Sequence, residues 1–137
     1  MIQYQDEELT GVIIAAAIEV HKTLGPGLLE SVYKNCMMLE FEERGLHYKQ
    51  EMAVPLVYKN KRVDCGFRID FLIEEKVVVE LKSVENLHSL HEAQVLTYLR
   101  LLEKPVGLLI NFNVAMLKNG IRRCVLGARE RKIEALI

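Results

Sequence analysis

The sequence predicts an α/β sandwich, with helices packed on a mixed sheet. Apolar residues recur at three- and four-residue spacing in some stretches and at every second residue in others. The predicted elements also come in a telling order: two helices, three strands, a helix, a strand and a closing hairpin. Half of the 137 residues are hydrophobic, enough for one domain, 1–137, with its own core.

Residues 6–24 read as a helix, with Leu9, Ile13, Ala16, Val20 and Leu24 on one face and Gly25-Pro26 as its stop. A second helix is expected from near Pro26 or Gly27 to Arg44, with Leu29, Val32, Cys36 and Leu39 as its apolar stripe. From Gln50 the period falls to two: Met52, Val54, Leu56 and Tyr58 alternate with their neighbours, and Pro55 suggests an edge strand. After a polar turn at residues 59–61, a second strand carries Val63, Cys65, Phe67, Ile69, Phe71 and Ile73 on one face. A short break at 74–76 leads into the strand 77–82, completing an antiparallel meander. Residues 87–103 form a third helix, with Leu90, Ala93, Thr97 and Leu101 on one side and Pro105 beyond its end. Residues 106–112 read as a strand buried on both faces, and Asn119-Gly120 signals a hairpin joining 115–118 to 121–125. The charged tail, 127–137, reads as helical or frayed.

A formal net charge of −1 argues against coating nucleic acid by bulk electrostatics, although the basic segments 59–62 and 118–123 could each hold phosphate locally. Three cysteines without a CxxC pair suggest neither a disulfide framework nor a zinc site, which fits a reducing cytoplasm. The acidic N-terminus and the interrupted apolar run 9–20 predict no signal peptide and no membrane span.

In the meander, both odd-numbered apolar faces reach one core only if Asp70, Glu80 and Lys82 share the other face. A three-residue connection at 74–76 sets Asp70 opposite Glu80. Two carboxylates about 5 Å apart repel by roughly 3 kcal/mol at an effective dielectric near 20, so the pair calls for a counter-charge. A divalent Mg²⁺ or Mn²⁺ supplies one, with the Leu81 carbonyl as a further ligand. Lys82 would then orient or deprotonate the attacking water. A register slipped by two would instead pair Asp70 with Lys82 in an ordinary ion pair, and the ExK pattern alone leaves that alternative open.

Further motifs bear on the choice. Ile69-Asp70, Glu80-Leu81-Lys82 and the helical segment from Gln94 to Tyr98 together resemble the PD-(D/E)xK nuclease superfamily in its RecB-like branch. Gly27-Leu28-Leu29-Glu30-Ser31-Val32-Tyr33, preceded by His21 and Leu24-Gly25-Pro26, is similar to the small GxxExxY family within it. One departure is Ile69, where the superfamily name has proline. The resemblance implies a restriction-endonuclease-like core with Asp70 and Glu80 as metal ligands and Lys82 as the catalytic lysine. It further implies that Glu30 completes the metal site, and that Gln94 and Tyr98 support the active site or contact nucleic acid. Glu30 and Tyr33 share a helical face, and Gln94 and Tyr98 lie at i and i+4, where a polar side chain needs a buried partner.

His21 reads as a cap on the first helix, and His88 and His91 as a solvated helix start. The expected function is Mg²⁺- or Mn²⁺-dependent hydrolysis of nucleic acid, DNA first, by a metal-bound water. The alternative is an inactive module that keeps the fold and binds nucleic acid or protein. A core of this size cannot wrap a duplex, so a homodimer is expected, through the closing hairpin or the first helix.

Overall fold

A computed structural model describes residues 6–126; the expected tail at 127–137 lies outside them. Helix α1 (Asp6–Leu24) buries Leu9, Ile13, Ala16 and Val20 as its spacing predicts. Helix α2 (Glu30–Glu43) packs beside it, and both cover one face of the sheet. The buried face of α2 is Tyr33, Met37 and Phe41, not the expected stripe: Leu29 and Leu39 are 75% and 65% exposed. Aromatic packing decides this rotation. Tyr33 stacks on Phe112 with ring centroids 4.4 Å apart, and Phe41 meets Phe71 edge-on at 5.1 Å, contacts that the smaller aliphatic stripe cannot offer.

The sheet runs in the order β1 (Tyr48–Ala53), β4 (Arg68–Ile73), β5 (Val77–Lys82), β6 (Val106–Asn111) and β7 (Ile121–Val125), with β2 (Leu56–Tyr58) and β3 (Lys61–Val63) outside it. Strands β1, β4 and β5 form the antiparallel meander. Helix α3 (Ser89–Leu102) crosses over to β6, which lies parallel to β5 and is buried along its whole length. Helix α3 covers the opposite face with Val95, Tyr98 and Leu99, while the expected contact Leu90 is 78% exposed and Ala93 is exposed too. Its buried face includes Tyr98, a large ring in the same layer as Ile69, Leu72 and Val78.

Two expectations for the strands are corrected. The long first hairpin divides at Pro55, leaving its outer part as a separate ribbon of β2 (Leu56–Tyr58) and β3 (Lys61–Val63). Proline has no N–H to give to a ladder, so pairing stops there. No closing hairpin forms at Asn119-Gly120. Residues 117–120 make a 3-10 turn, and β7 (Ile121–Val125) pairs antiparallel with β6 instead. A Cβ on Gly120 would sit 2.2 Å from the Asn111 carbonyl oxygen, so close approach of two backbones explains this glycine better than a hairpin turn does.

Among the described residues no helix is long and apolar enough to cross a membrane.

Candidate active site

Strands β4 and β5 pair as Ile73 with Val77, Leu72 with Val78 and Phe71 with Val79, the register that sets Asp70 against Glu80 and not Lys82. At Asp70 the backbone ladder ends and side chains take over. The Asp70 N–H donates to the Glu80 carboxylate at 2.7 Å, and the Leu81 N–H donates to the Asp70 carboxylate at 2.7 Å. Each acid thus holds the strand that carries the other. The neighbouring strand opens at the same level: Glu51 takes a left-handed φ of 51° and drops out of the β1–β4 pairing opposite Asp70. Side-chain alternation also breaks here, because Ile69 packs on the α3 side whereas Phe71 and Ile73 pack under α1 and α2.

Both carboxylates are buried, at 7% exposure each. Burial first, and the charge of Asp70 second, push the Glu80 carboxyl up to about 8. Glu30 is raised above the usual carboxylate range by burial and then by Asp70, while Lys82 and Lys34 pull it back. Lys82 is half-buried and makes no ion pair among the described residues, yet its charge is felt by Glu30, Glu80 and His91. The ordinary Asp70–Lys82 ion pair is therefore not formed. Tyr98 is buried against this centre, its phenol held high by desolvation and then by the charges of Glu80, Cys65 and Asp70. Gln94, one turn earlier, is exposed, and its side chain makes no hydrogen bond among the described residues, so the buried partner expected for its amide is not found there.

Lys34 was not singled out in the sequence, although it stands one helical turn after Glu30 on α2. Its ammonium lies 2.9 Å from the Asp70 carboxylate and also bonds Glu51. Burial alone would lower its pKa; the hydrogen bonds and charges of Glu51 and Asp70 outweigh that and raise it. The only sequence signal was the spacing from Glu30, which is common on any helix.

The loop before α2 is held from two sides. The Tyr33 hydroxyl donates to the Gly25 carbonyl at 2.6 Å and accepts from the Leu28 N–H at 3.2 Å, while Ser83 Oγ donates to the Leu28 carbonyl at 2.6 Å. Gly25 and Gly27 supply the left-handed φ values, 72° and 94°, that turn the chain there. Tyr33 is thus a buried brace, not a surface residue on the Glu30 face. Buried Asn111 fixes the chain after Lys82, donating to the Val84 carbonyl at 2.9 Å and accepting from the Val84 N–H at 3.0 Å. His21 Nε2 meets the Val114 carbonyl at 2.7 Å, so it ties α1 to the loop after β6 and does not cap its own helix. His91 Nδ1 accepts the His88 N–H at 3.1 Å at the start of α3.

The donor chemistry of the pair fits a divalent cation: two hard carboxylates, desolvated and mutually repelling, need a positive charge between them. The fit is to two protein carboxylates. Among the described residues no three His, Cys, Asp or Glu side chains are gathered closely enough to hold a metal, so Glu30 is not drawn in as a third donor.

A family model described as the PD-(D/E)XK nuclease superfamily matches residues 7–124. No curated protein and no solved structure matches the chain. The matched span contains the whole constellation, from Glu30 on α2 through Asp70 and the Glu80-Leu81-Lys82 segment to Tyr98 on α3, and the chain belongs to the PD-(D/E)XK nuclease superfamily.

Proposed function

We propose that this protein is a divalent-metal-dependent nuclease of the GxxExxY branch, hydrolysing phosphodiester bonds in nucleic acid, with DNA as its first substrate. The observation that supports this reading most is the facing of Asp70 and Glu80 where the β4–β5 ladder ends, with Lys82 half-buried beside them. Asp70 and Glu80 would hold Mg²⁺ or Mn²⁺, and the cation would polarise the phosphate and offset its charge. The Leu81 N–H points at Asp70, and in an extended strand the carbonyl of the same residue points to the same side, which favours Leu81 as a backbone ligand. Glu30 would close in as a further ligand when the cation is present.

Lys82 would turn its ammonium to the charge that builds on the phosphate oxygens as water adds to phosphorus and the P–O bond to the leaving oxygen breaks. Tyr98 would orient the Glu80 carboxylate, and Gln94, exposed one turn away, would reach the nucleic acid itself. The test is cleavage of labelled single- and double-stranded DNA with Mg²⁺ or Mn²⁺. Asp70→Ala and Lys82→Ala should each lower the rate at least a hundred-fold; unchanged rates would sink the assignment.

A second reading is a nucleic-acid-binding module without turnover. The Lys34 ammonium on Asp70 and the lack of a three-donor cluster among the described residues favour it. Calorimetry separates the two: no Mn²⁺ binding alongside retained DNA binding selects the module. We also propose a homodimer, supported by the outward-facing apolar row of Leu29, just before α2, and Val32 and Leu39 on it. Light scattering showing only monomer would remove it.

A further inference from the structure

We propose that the cleft between the β2–β3 ribbon and the start of β4 binds single-stranded nucleic acid, with a base stacked on Phe67 and phosphates held by Arg62 and Arg68. This rests on the nuclease reading for its purpose and deepens it by naming the strand state of the substrate. The cleft has a volume of about 510 Å³, and Pro55, Arg62, Asp64, Phe67 and Arg68 are among its lining. That is within the usual range for small-ligand sites, roughly 300–1,000 Å³, and far too small for a duplex.

Its charge is opposite to that of the chain. Residues 53–68 carry Lys59, Lys61, Arg62 and Arg68 against Asp64 alone, while the whole chain has a formal net charge of −1. All five side chains are exposed. The ribbon has little apolar packing of its own to account for its composition: every residue of β3 is exposed, and Tyr58 is 62% exposed with Lys59 over its ring. Basic side chains interleaved with exposed aromatic rings are the equipment of single-strand binding.

Phe67 connects the cleft to the chemistry. Phe67 is 43% exposed, and its ring centroid is 6.1 Å from that of Tyr98, which is buried within reach of the Glu80 and Asp70 charges. Arg68 lies two residues before Asp70 on β4, about 7 Å of extended chain. A strand laid along Arg62, Phe67 and Arg68 therefore runs toward the carboxylates. Bases in a duplex have both faces covered by their neighbours, so Phe67 can stack only on a base outside a helix.

The experiment is fluorescence anisotropy in EDTA, where binding is read without turnover, using labelled oligo-dT, oligo-rU and a DNA duplex of equal length. Oligo-dT should bind more tightly than the duplex. Phe67→Ala should weaken it about ten-fold or more, and Arg62→Ala should lower the slope of log affinity against log salt by about 0.7. Stronger binding of oligo-rU with the same losses would keep the cleft and make RNA its ligand. Equal affinity of wild type and both variants for oligo-dT and oligo-rU, or a duplex bound more tightly than either, would overturn the proposal. Melting of each variant checks the fold, and exposed Arg62 provides the test if Phe67→Ala unfolds. Intact oligo binding with no Mn²⁺-dependent cleavage by the wild type would defeat the nuclease reading and leave the cleft standing.

Discussion

Glu80 is where the site meets folding stability. Its carboxyl keeps its proton up to about pH 8 in the metal-free fold, whereas in the unfolded chain it ionises near pH 4.5. Between those values the folded state binds the extra proton, so stability falls as pH rises through the window and levels off above it. In EDTA the melting temperature should drop between pH 5 and pH 8. Glu80→Gln, whose amide oxygen can still accept the Asp70 N–H, should flatten much of that drop; an unaltered slope would show that Glu80 is not its source. Lys34 acts in the opposite sense, as a tethered positive charge on Asp70. Lys34→Met should tighten Mn²⁺ binding about five-fold by calorimetry, the equivalent of roughly 1 kcal/mol of competing ion pair, and weaker binding would rule out competition. The facing of Asp70 and Glu80 was legible because a three-residue turn fixes the β4–β5 register, whereas the break in alternation between Ile69 and Phe71 was not. Nor was Lys34, because its contacts depend on a kink at Glu51 that no local pattern announces.

Among the elements, strand β5 and helix α1 were plain from periodicity and β6 from its unbroken apolar run, since most of their apolar positions are also buried. In α2 and α3 two faces were apolar enough to be the core face, and rings outside the pattern decided between them. Spacing put Tyr33 on the Glu30 face and outside the expected stripe, and its stacking on Phe112 and its two bonds to the Gly25–Leu28 turn are long-range contacts that spacing does not announce. Tyr33→Phe keeps the stacking and deletes both bonds, so it should cost about 1–3 kcal/mol in urea unfolding. A change below 0.5 kcal/mol would show that the turn holds itself. Asn-Gly misled because the same dipeptide serves a tight turn and a close backbone approach equally well. Gly120 has no left-handed φ, so Gly120→Ala meets only the Asn111 oxygen 2.2 Å from its Cβ and should cost about 1–3 kcal/mol or more in urea unfolding; a change below 0.5 kcal/mol would show that the two backbones do not approach so closely.

At the scale of the whole molecule, the site lies where the two cores divide. Asp70 and Glu80 sit within β4 and β5 where the ladder between those two strands ends, between the layer under α1 and α2 and the layer under α3. Their reciprocal bonds hold the two strands together where the backbone ladder has stopped, while burial and the neighbouring Asp70 keep the proton on Glu80. A divalent cation would displace that proton and hold both carboxylates by shared attraction, and its binding energy would appear as stability of the entire fold. At free Mn²⁺ a hundred times its dissociation constant the gain is about 2.7 kcal/mol. For a chain of this size that is a rise in melting temperature of roughly 8–12 °C over the EDTA-treated protein. Asp70→Asn removes one ligand charge while leaving an oxygen for the Leu81 N–H, so it should fold in EDTA and show little of the rise. If wild type and Asp70→Asn gain equally, the ion stabilises some other part of the surface, and the carboxylates are not its site.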